Sequence, residues 1–367
     1  MKALLVFLLA VGALGAQTQP NVVVILSDDM GYSDVGCYGG EIMTPNLDSL
    51  AENGLRFSQF YNAARCCPTR ASLLSGLYQH QAGIGLMTGD KKLPGYRGEI
   101  GRNVLTIAEA LGLAGYKNYM SGKWHVTPHI KPEGPKYNWP RQRGFDRFYG
   151  TIHGAGSFFD PNSLTRENTQ VSPLTDEGYQ PKSGPYYYTD AINEHSVEFI
   201  LNHEGTSPFF LYVAHYAPHR PLQAPEERIE ACRERYRVGY DVLRQERYKR
   251  LKDMGLVGSK AELPIHRNAY KKQARPSWDS LDSGMKEKWI EEMATYAAMI
   301  EIMDDGIGDV VEAVKKKGEF DNTLFVFLSD NGATSEGGLI SQLAADLSNT
   351  PYRSYKAKTF MGGISSP

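Results

Sequence analysis

Apolar residues along the chain fall into two patterns, short unbroken runs and longer stretches with a helical period. The unbroken runs are typical of strands buried on both faces of a parallel sheet, and they occupy residues 21–27 (NVVVILS), 118–121, 208–215 (PFFLYVAH) and 323–329 (TLFVFLS). Helices are predicted from Thr44-Pro45-Asn46 onward, over 104–113 with Gly115 as C-cap, over 191–201, and over 291–314 with interruptions at Gly306 and Gly308. Strands that alternate with helices predict an α/β fold with a large, mostly parallel central sheet flanked by helices.

The N-terminus has the pattern of a secretory signal peptide. One positive charge at Lys2 precedes an apolar run that ends in small residues near Gly15 and Ala16. We therefore expect a signal peptide over residues 1–16 and a secreted or periplasmic mature chain; the alternative is a buried N-terminal helix. The run is too short to span a membrane comfortably and no later segment is long and apolar enough, so we expect no stable membrane insertion.

Charge and composition narrow the class of protein. The chain has 40 Lys and Arg against 42 Asp and Glu, a formal net charge of −2, which argues against nucleic-acid binding as its main function. The hydrophobic content of 41% and aromatic content of 11% exclude a disordered chain. Lys and Arg outnumber Asp and Glu in residues 226–275. We expect a charged helical insertion over 226–290, with a patch that attracts anionic polymers as the alternative.

Oxygen-bearing side chains follow the first and the last of the predicted strands. Asp28 and Asp29 come directly after one strand, and Asp330 and Asn331 come after the other. Because sites in open parallel sheets lie at the carboxyl ends of strands, these two pairs are expected to meet. Three carboxylates and an amide suit a hard divalent cation such as Ca²⁺ or Mg²⁺. An aspartate after one strand is often a helix cap, but two such pairs favour a metal site.

A more specific motif lies in the segment CCPTRASLLSG, which begins at Cys66. It resembles the Cys-x-Pro-x-Arg signature of the formylglycine-dependent type I sulfatases of the alkaline-phosphatase superfamily, with Ser75 where that family usually has Thr. The resemblance implies that a formylglycine-generating enzyme oxidises Cys66 to Cα-formylglycine and that Cys67 is the variable position. It also implies an alkaline-phosphatase-like sandwich, with residues 20–367 as the catalytic domain.

Formylglycine suits sulfate ester hydrolysis because its hydrated aldehyde is a gem-diol. One hydroxyl can attack sulfur, and the other can later expel sulfate as the C=O re-forms. A serine or thiol nucleophile would leave a stable ester, whereas covalent catalysis of this kind divides one hard step into two easier ones. Arg70, four residues after Cys66, can hold the diol and offset its developing charge.

Further residues match motifs of the same family in chain order. They are Lys123 and His125 in GKWH, His219 in APHRP, and Lys356 before the GGI ending. By resemblance, the two lysines bind sulfate. His125 is then the base that drives elimination, and His219 donates a proton to the leaving group. The resemblance also places residue 66, once converted, among the metal ligands with the two strand-end pairs, and it favours Ca²⁺ with Mg²⁺ as the alternative.

Some segments resemble only part of the family. The segment around His153, the charged insertion and residues 296–307 resemble bacterial arylsulfatases, and two interpretations stay open for His153, substrate contact and loop structure. The ending GGISSP departs from the family's GGIRVP at Ser365 and Ser366. The smaller C-terminal subdomain that is usual in the family is expected to be missing.

Three functional hypotheses follow for the whole chain. The leading hypothesis is hydrolysis of sulfate monoesters, either aryl sulfates or sulfated carbohydrates, by transfer of the sulfuryl group to residue 66 and elimination of sulfate. One alternative is a phosphate or phosphonate ester hydrolase of the same superfamily. The other is a truncated, non-catalytic chain that binds anionic ligands.

Overall fold

The computed structural model describes residues 19–154, 156–182, 184–265 and 275–367. Its strands, in chain order, are β1 (Asn21–Ser27), β2 (Phe60–Tyr61), β3 (Lys117–Lys123), β4 (Arg147–Thr151), β5 (Leu164–Arg166), β6 (Thr169–Gln170), β7 (Phe209–Ala214), β8 (Thr323–Ser329) and β9 (Ser365–Ser366). Strands β2 and β9 form a small antiparallel pair, and the others form one sheet of order β6-β5-β4-β3-β7-β1-β8. Strands β4, β3, β7, β1 and β8 are mutually parallel, whereas β5 and β6 are antiparallel at one edge. The predicted, mostly parallel α/β sheet is confirmed.

Helices cover both faces of this sheet. In chain order they are α1 (Pro45–Glu52), α2 (Cys66–Ser75), α3 (Gln79–Ala82), α4 (Ile107–Leu113), α5 (Tyr188–Leu201), α6 (Glu226–Tyr236), α7 (Tyr240–Asp253), α8 (Ser283–Lys316), α9 (Leu339–Ser348) and α10 (Met361–Ile364). Alternate residues of β1 enter two separate hydrophobic clusters. Val23 and Ile25 pack in the cluster that contains α5, α6 and α8, whereas Val24 and Leu26 pack in the cluster that contains α2 and α4. The period-2 alternation of a strand therefore produces the three layers.

Local chemistry sets the helix boundaries that the apolar pattern missed by a few residues. Helix α4 begins at Ile107, three residues later than residue 104, because Thr106 caps it. The Thr106 hydroxyl accepts from the N–H of Glu109 (3.1 Å), and the Glu109 carboxylate accepts from the N–H of Thr106 (2.7 Å). This reciprocal capping box satisfies two backbone donors that a helix start leaves free.

The two glycines expected to interrupt the long C-terminal helix do not do so. Helix α8 runs unbroken for 34 residues. A Cβ atom at Gly306 would overlap the side chain of Asn193, and one at Gly308 would overlap the side chain of Asn46. The prediction was wrong because these glycines permit close packing against neighbouring elements, which outweighs their cost in a helix interior of about 1 kcal/mol each.

Strand β8 is less buried than its apolar sequence predicts. It is an edge strand of the sheet, and Leu324 is 53% exposed. A continuous apolar run is typical of a strand with neighbours on both sides and layers on both faces. Composition does not reveal the position of a strand in the sheet order, so β1 and β8 looked alike in the sequence.

The charged insertion forms two helices that pack on other helices. Helix α6 lies against α8, and α7 lies against α9. Most of the described arginines here form ion pairs within the protein, among them Arg228 with Asp305, Arg233 with Glu291, Arg235 with Glu301, and Arg247 with Asp34 and Glu41. This internal pairing argues against a patch for anionic polymers. Residues 266–274 of the insertion lie outside the described part of the chain.

The predicted signal peptide, residues 1–16, also lies outside the described residues. Among the residues that are described, no helix combines the length and the apolar character that crossing a membrane requires.

Candidate active site

The two strand-end pairs meet at the carboxyl edge of the sheet, because β1 and β8 are neighbouring parallel strands. The N–H of Asp29 donates to Oδ1 of Asp330 (3.3 Å), and Nδ2 of Asn331 donates to Oδ1 of Asp29 (2.6 Å). Asp28 is the fourth member, and all four side chains are buried. Three buried carboxylates in one place repel each other unless positive charge is supplied.

Arg70 supplies part of that charge and connects the acidic pairs to the motif helix. Helix α2 begins at Cys66 and ends at Gly76, whose φ of +67° suits a glycine C-cap. Arg70 lies one turn into the helix, fully buried. Its Nε and Nη2 donate to Oδ2 of Asp330 (3.1 and 3.0 Å), and Nη2 also donates to Oδ2 of Asp28 (3.3 Å). The guanidinium therefore fixes both carboxylates beneath residue 66.

Cys66 occupies the N-terminus of α2, where the helix dipole stabilises negative charge. The hydrogen bond from the Cys67 thiol, with Lys123 and His125 nearby, holds the pKa of Cys66 well below its ordinary value in spite of burial. Burial and the neighbouring Cys66 raise the pKa of Cys67. Both thiols are free and buried. The fold thus favours a negative charge on the side chain of residue 66.

Two lysines contact the aspartates that follow β1. Lys123, at the end of β3, donates to Oδ2 of Asp28 and is fully buried. Lys356 lies 2.8 Å from Oδ1 and 2.9 Å from Oδ2 of Asp29. Burial disfavours a charged lysine, but Asp29 outweighs it and raises the pKa of Lys356. Together with the Arg70 guanidinium, the two ammonium groups place three cations around three carboxylates.

His125 follows β3 with a φ of +55°, and its ring is buried. Burial lowers the pKa of His125 to about 4, so the imidazole is neutral at pH 7. Its Nδ1 has no hydrogen-bond partner among the described residues. A Cβ atom at Gly154 would overlap the ring, so only glycine fits there. The neighbouring His153 is partly buried, and its ring centroid lies 5.5 Å from that of His125.

His219 approaches the same carboxylates from the loop after β7. Its Nδ1 lies 2.5 Å from the carbonyl oxygen of Arg220, which assigns the Nδ1 proton to that bond. The Nε2 atom faces the site and lies 3.3 Å from Nζ of Lys356 and 3.7 Å from Oδ2 of Asp29. The ring of Tyr216 stacks on the imidazole with a centroid separation of 5.0 Å. His219 therefore presents one nitrogen to the site in a fixed orientation.

The strand-end residues fit a divalent cation. Oδ1 of Asp28 and Oδ1 of Asn331 are buried and have no hydrogen-bond partner in the described part of the chain. Leaving such atoms unpaired is costly, and a hard cation bound between them would satisfy both. Burial and the Asp28 charge, with a smaller effect of Cys66, hold the pKa of Asp330 well above its ordinary value. Asp330 therefore has less positive charge around it than it needs to ionise fully.

The predicted site residues lie around one buried centre, but the sequence did not identify all of the contacts. The hydroxyl of Tyr296, on α8, lies 3.1 Å from the carbonyl oxygen of Asp29. Gly154 is needed beside His125, as described above. A tyrosine in an apolar helical run and a glycine in a loop carry no signal for a site. Only the three-dimensional packing reveals them.

Comparison with known proteins finds matches along nearly the whole chain. Residues 20–367 match the family model of the sulfatases. An uncharacterized sulfatase of Schizosaccharomyces pombe is 38% identical over 343 residues, which cover 89% of this chain and 59% of that protein. An arylsulfatase of Klebsiella aerogenes is 34% identical over 409 residues, which cover 99% of this chain and 83% of that protein. This chain therefore spans about three fifths of the first relative and most of the second.

Solved structures show the same fold. The crystal structure of Ps i-CgsB in complex with k-i-k-neocarrahexaose superposes with a TM-score of 0.65 at 27% identity. The superposition covers 95% of this chain and 65% of that one. With a family model that matches nearly all of the described residues, and with a relative 34% identical along almost the whole chain, this protein belongs to the sulfatase family.

Proposed function

We propose that this chain hydrolyses sulfate monoesters with a formylglycine formed from Cys66 and a divalent metal ion held by Asp28, Asp29, Asp330 and Asn331. The observation that carries the proposal is the convergence of cations beneath residue 66. Arg70 contacts both Asp28 and Asp330, Lys123 contacts Asp28, and Lys356 contacts Asp29. A sulfate ester develops negative charge on its sulfuryl oxygens and on its leaving group, and such a cationic site stabilises both.

Two groups complete the chemistry. When bound, Ca²⁺ or Mg²⁺ supplies Lewis-acid stabilisation of charge on the sulfuryl oxygens. When oxidised and hydrated, residue 66 supplies a diol that accepts the sulfuryl group and releases sulfate as the C=O re-forms. The chain's own contribution is to hold these groups and the substrate in one buried, charged pocket.

The cationic side chains orient the sulfate group. Lys123 contacts Asp28 and Lys356 contacts Asp29, so a sulfuryl group bound to residue 66 would meet two ammonium groups. Arg70, fixed by its bonds to Asp28 and Asp330, lies one helical turn after residue 66 and offsets the negative charge that develops there. These donors are already in position before substrate binds, so little reorganisation is needed in the transition state.

The two histidines divide the proton transfers. His219 presents Nε2 to the site. As the imidazolium, with its other proton held at Nδ1 by the Arg220 carbonyl, it donates the Nε2 proton to the oxygen of the leaving alcohol. His125 is neutral at pH 7, because burial lowers its pKa to about 4, and it can accept the proton of the second hydroxyl during elimination. The proton that the attacking hydroxyl loses replaces the one that His219 gives to the alcohol, and the proton of the second hydroxyl is held by His125 until sulfate departs.

The substrate class is a sulfate ester of a phenol or a sugar. An arylsulfatase is among the relatives, and Ps i-CgsB was solved with a saccharide bound, so both kinds of alcohol are reasonable substrates for this chain. The N-terminal sequence favours export, to the periplasm or outside the cell, and a formylglycine-generating enzyme is the partner needed during maturation.

The direct test combines a chemical and a kinetic measurement. The protein is co-expressed with a formylglycine-generating enzyme, and trypsin cuts after Arg65 and Arg70, so that residue 66 lies in one short peptide. Mass spectrometry is expected to find an aldehyde at residue 66. The same preparation, with Ca²⁺ or Mg²⁺ added, is expected to hydrolyse an aryl sulfate faster than the matching phosphate monoester or phosphonate.

Each of the two alternatives has its own outcome. An aldehyde at residue 66 with faster turnover of the phosphate or phosphonate ester would assign the chain to that chemistry. An unmodified Cys66 and no turnover, in a folded protein that still binds metal, would support a non-catalytic anion-binding chain. Either result would contradict the proposed function.

A further inference from the structure

The loop that carries Asp29 is strained and is held from behind. Asp29 has a φ of +65°, in the left-handed region, and such a conformation costs a non-glycine residue about 1–3 kcal/mol. Two residues later, the N–H of Gly31 donates to Oδ2 of Asp34 (2.8 Å). A Cβ atom at Gly31 would overlap the backbone of Ser348, so the loop is pressed against the end of α9. The conformation of Asp29 persists only if these neighbours enforce it.

Tyr296 of α8 is the neighbour that touches both ends of the loop. Its hydroxyl lies 2.7 Å from Oδ2 of Asp34 and 3.1 Å from the carbonyl oxygen of Asp29, and it has one proton to donate to either. The N–H of Gly31 lies 3.3 Å from the same hydroxyl oxygen, which accepts from it. All of these groups are buried, so loss of the Tyr296 hydroxyl removes a hydrogen-bond donor from the Asp29 carbonyl oxygen and from Asp34, and no solvent replaces it.

Arg247 extends this contact chain to the charged insertion. It lies on α7 and its guanidinium is fully buried. Nη1 donates to Oδ1 of Asp34 (2.8 Å), and Nε and Nη2 donate to the two carboxylate oxygens of Glu41 (2.6 and 2.7 Å). Burial favours a protonated acid, but Arg247 outweighs it and holds the pKa of Glu41 below its ordinary value. A buried Asp34 without this arginine would be an uncompensated charge.

We propose that Arg247 and Tyr296 are positioning residues which, through Asp34, hold Asp29 in the conformation that binds the divalent metal ion. The inference rests on the proposed function, in which Asp29 is a metal ligand. It gives the charged insertion a role in the active site that its sequence does not suggest. Groups that orient metal ligands from outside typically change metal affinity about 10–100-fold when they are removed.

The test is a Ca²⁺ titration of the metal-free full chain, followed by calorimetry, with Cys66 left as the thiol so that no turnover is needed. Tyr296→Phe removes one hydroxyl, and Arg247→Lys keeps the charge but loses the forked geometry that contacts two carboxylates. Both variants are expected to bind Ca²⁺ about 10–100-fold more weakly than the unmodified chain. Tyr296 contacts Asp29 directly, whereas Arg247 acts through Asp34. If one of the two variants does not fold, the other still tests the inference.

Tyr236→Phe is the matched control. Tyr236 is a fully buried tyrosine of α6 whose hydroxyl has no partner among the described residues. The Tyr236→Phe variant is expected to bind Ca²⁺ with the same affinity as the chain without a substitution. Melting temperatures in the presence of a chelator separate a loss of stability from a loss of metal affinity.

The outcomes are distinct. Unchanged Ca²⁺ affinity in Tyr296→Phe and Arg247→Lys, even with lower melting temperatures, would overturn the inference and leave a structural role. Equal loss of affinity in Tyr236→Phe would also overturn it, because the effect would then follow from any change in this part of the core. If the unsubstituted chain binds neither Ca²⁺ nor Mg²⁺, also after conversion of Cys66 to formylglycine, both the inference and the metal-dependent function are wrong.

Discussion

The ammonium of Lys356 lies 2.8 Å from one carboxylate oxygen of Asp29 and 2.9 Å from the other. Because Asp29 is also a proposed metal ligand, the lysine shares this carboxylate with the metal ion. The carboxylate keeps the lysine charged by raising its pKa in spite of burial. Lys356 is therefore placed to bind a sulfuryl oxygen beside the metal without being required to hold the metal.

Lys356→Met should separate these two functions. We expect turnover of an aryl sulfate to fall by about 10²–10³, the usual cost of removing one charge-stabilising donor. Metal affinity should be equal or tighter, since the group that competes for Asp29 is gone. Steady-state kinetics and a metal titration measure the two effects, with Lys249→Met, at an exposed lysine, as the control. A variant that loses metal and activity together would show that Lys356 acts mainly by organising Asp29.

Substitution of the two neighbouring cysteines should have opposite results. Cys66→Ala removes the proposed nucleophile and is expected to abolish turnover while the fold persists. Cys67→Ala leaves a Cys-x-Pro-x-Arg segment and is expected to keep an aldehyde at residue 66 and measurable turnover. Mass spectrometry and kinetics on both proteins provide the comparison. Substantial turnover by Cys66→Ala would refute the nucleophile assignment.

The candidate catalytic residues could be predicted because each lies in a short local motif. Cys66 and Arg70 are four residues apart, which is about one helical turn, so their spacing alone places both side chains on the same face of α2. Asp28 and Asp330 are 302 positions apart, yet each directly follows an apolar strand. Because parallel strands align their carboxyl ends, each of the two residues could be recognised from its position directly after a strand, although the contact between them is distant in sequence.

Contacts made by single residues from unrelated elements could not be predicted. Arg247 lies in a run of charged residues that reads as a solvated helix surface, yet it is fully buried against Asp34 and Glu41. Gly306 reads as an interruption of α8, but its missing side chain makes room for Asn193. In each case the deciding partner is distant in sequence, and neither propensity nor periodicity contains that information.

Loss of His219 should affect substrates according to their leaving groups. A leaving group with a low pKa departs without a proton, whereas a poor one needs an acid. For His219→Ala we expect a small decrease in kcat/KM with nitrophenyl sulfate and a much larger one with alkyl or sugar sulfates. A series of substituted phenyl sulfates measures the slope against leaving-group pKa, which should become steeper in the variant. Equal losses across the series would exclude His219 as the general acid.

Gly154→Ala should disturb His125 without changing any catalytic group. The added methyl overlaps the imidazole ring, so the ring must shift or the loop must move. A misplacement of about 1 Å in a catalytic group costs on the order of 10²-fold in rate. We expect kcat to fall by roughly this amount with unchanged metal affinity. Gly89→Ala, where a Cβ meets nothing within 4 Å, is the control, and full activity in Gly154→Ala would show that the base tolerates displacement.

His215, just after β7, should make the protein sensitive to acid. It is fully buried, neither ring nitrogen has a partner in the described part of the chain, and burial lowers its pKa from 6.5 to about 3. Below pH 6.5 the unfolded chain takes up a proton that the folded chain does not accept until about pH 3. The contribution to stability is therefore fully present above pH 6.5 and is lost as the pH falls.

The substitution His215→Leu should remove this sensitivity. At pH 5, 1.5 units below the unfolded pKa, the imidazole of the unmodified protein costs about 2 kcal/mol of unfolding free energy relative to neutral pH. Urea unfolding at pH 5 and pH 7.5 should therefore show a drop that is smaller by this amount in His215→Leu. His80→Leu, at an exposed histidine, should keep the full drop. If His215→Leu and the unmodified chain lose equal stability, the folded protein protonates His215 after all, and other groups govern its acid response.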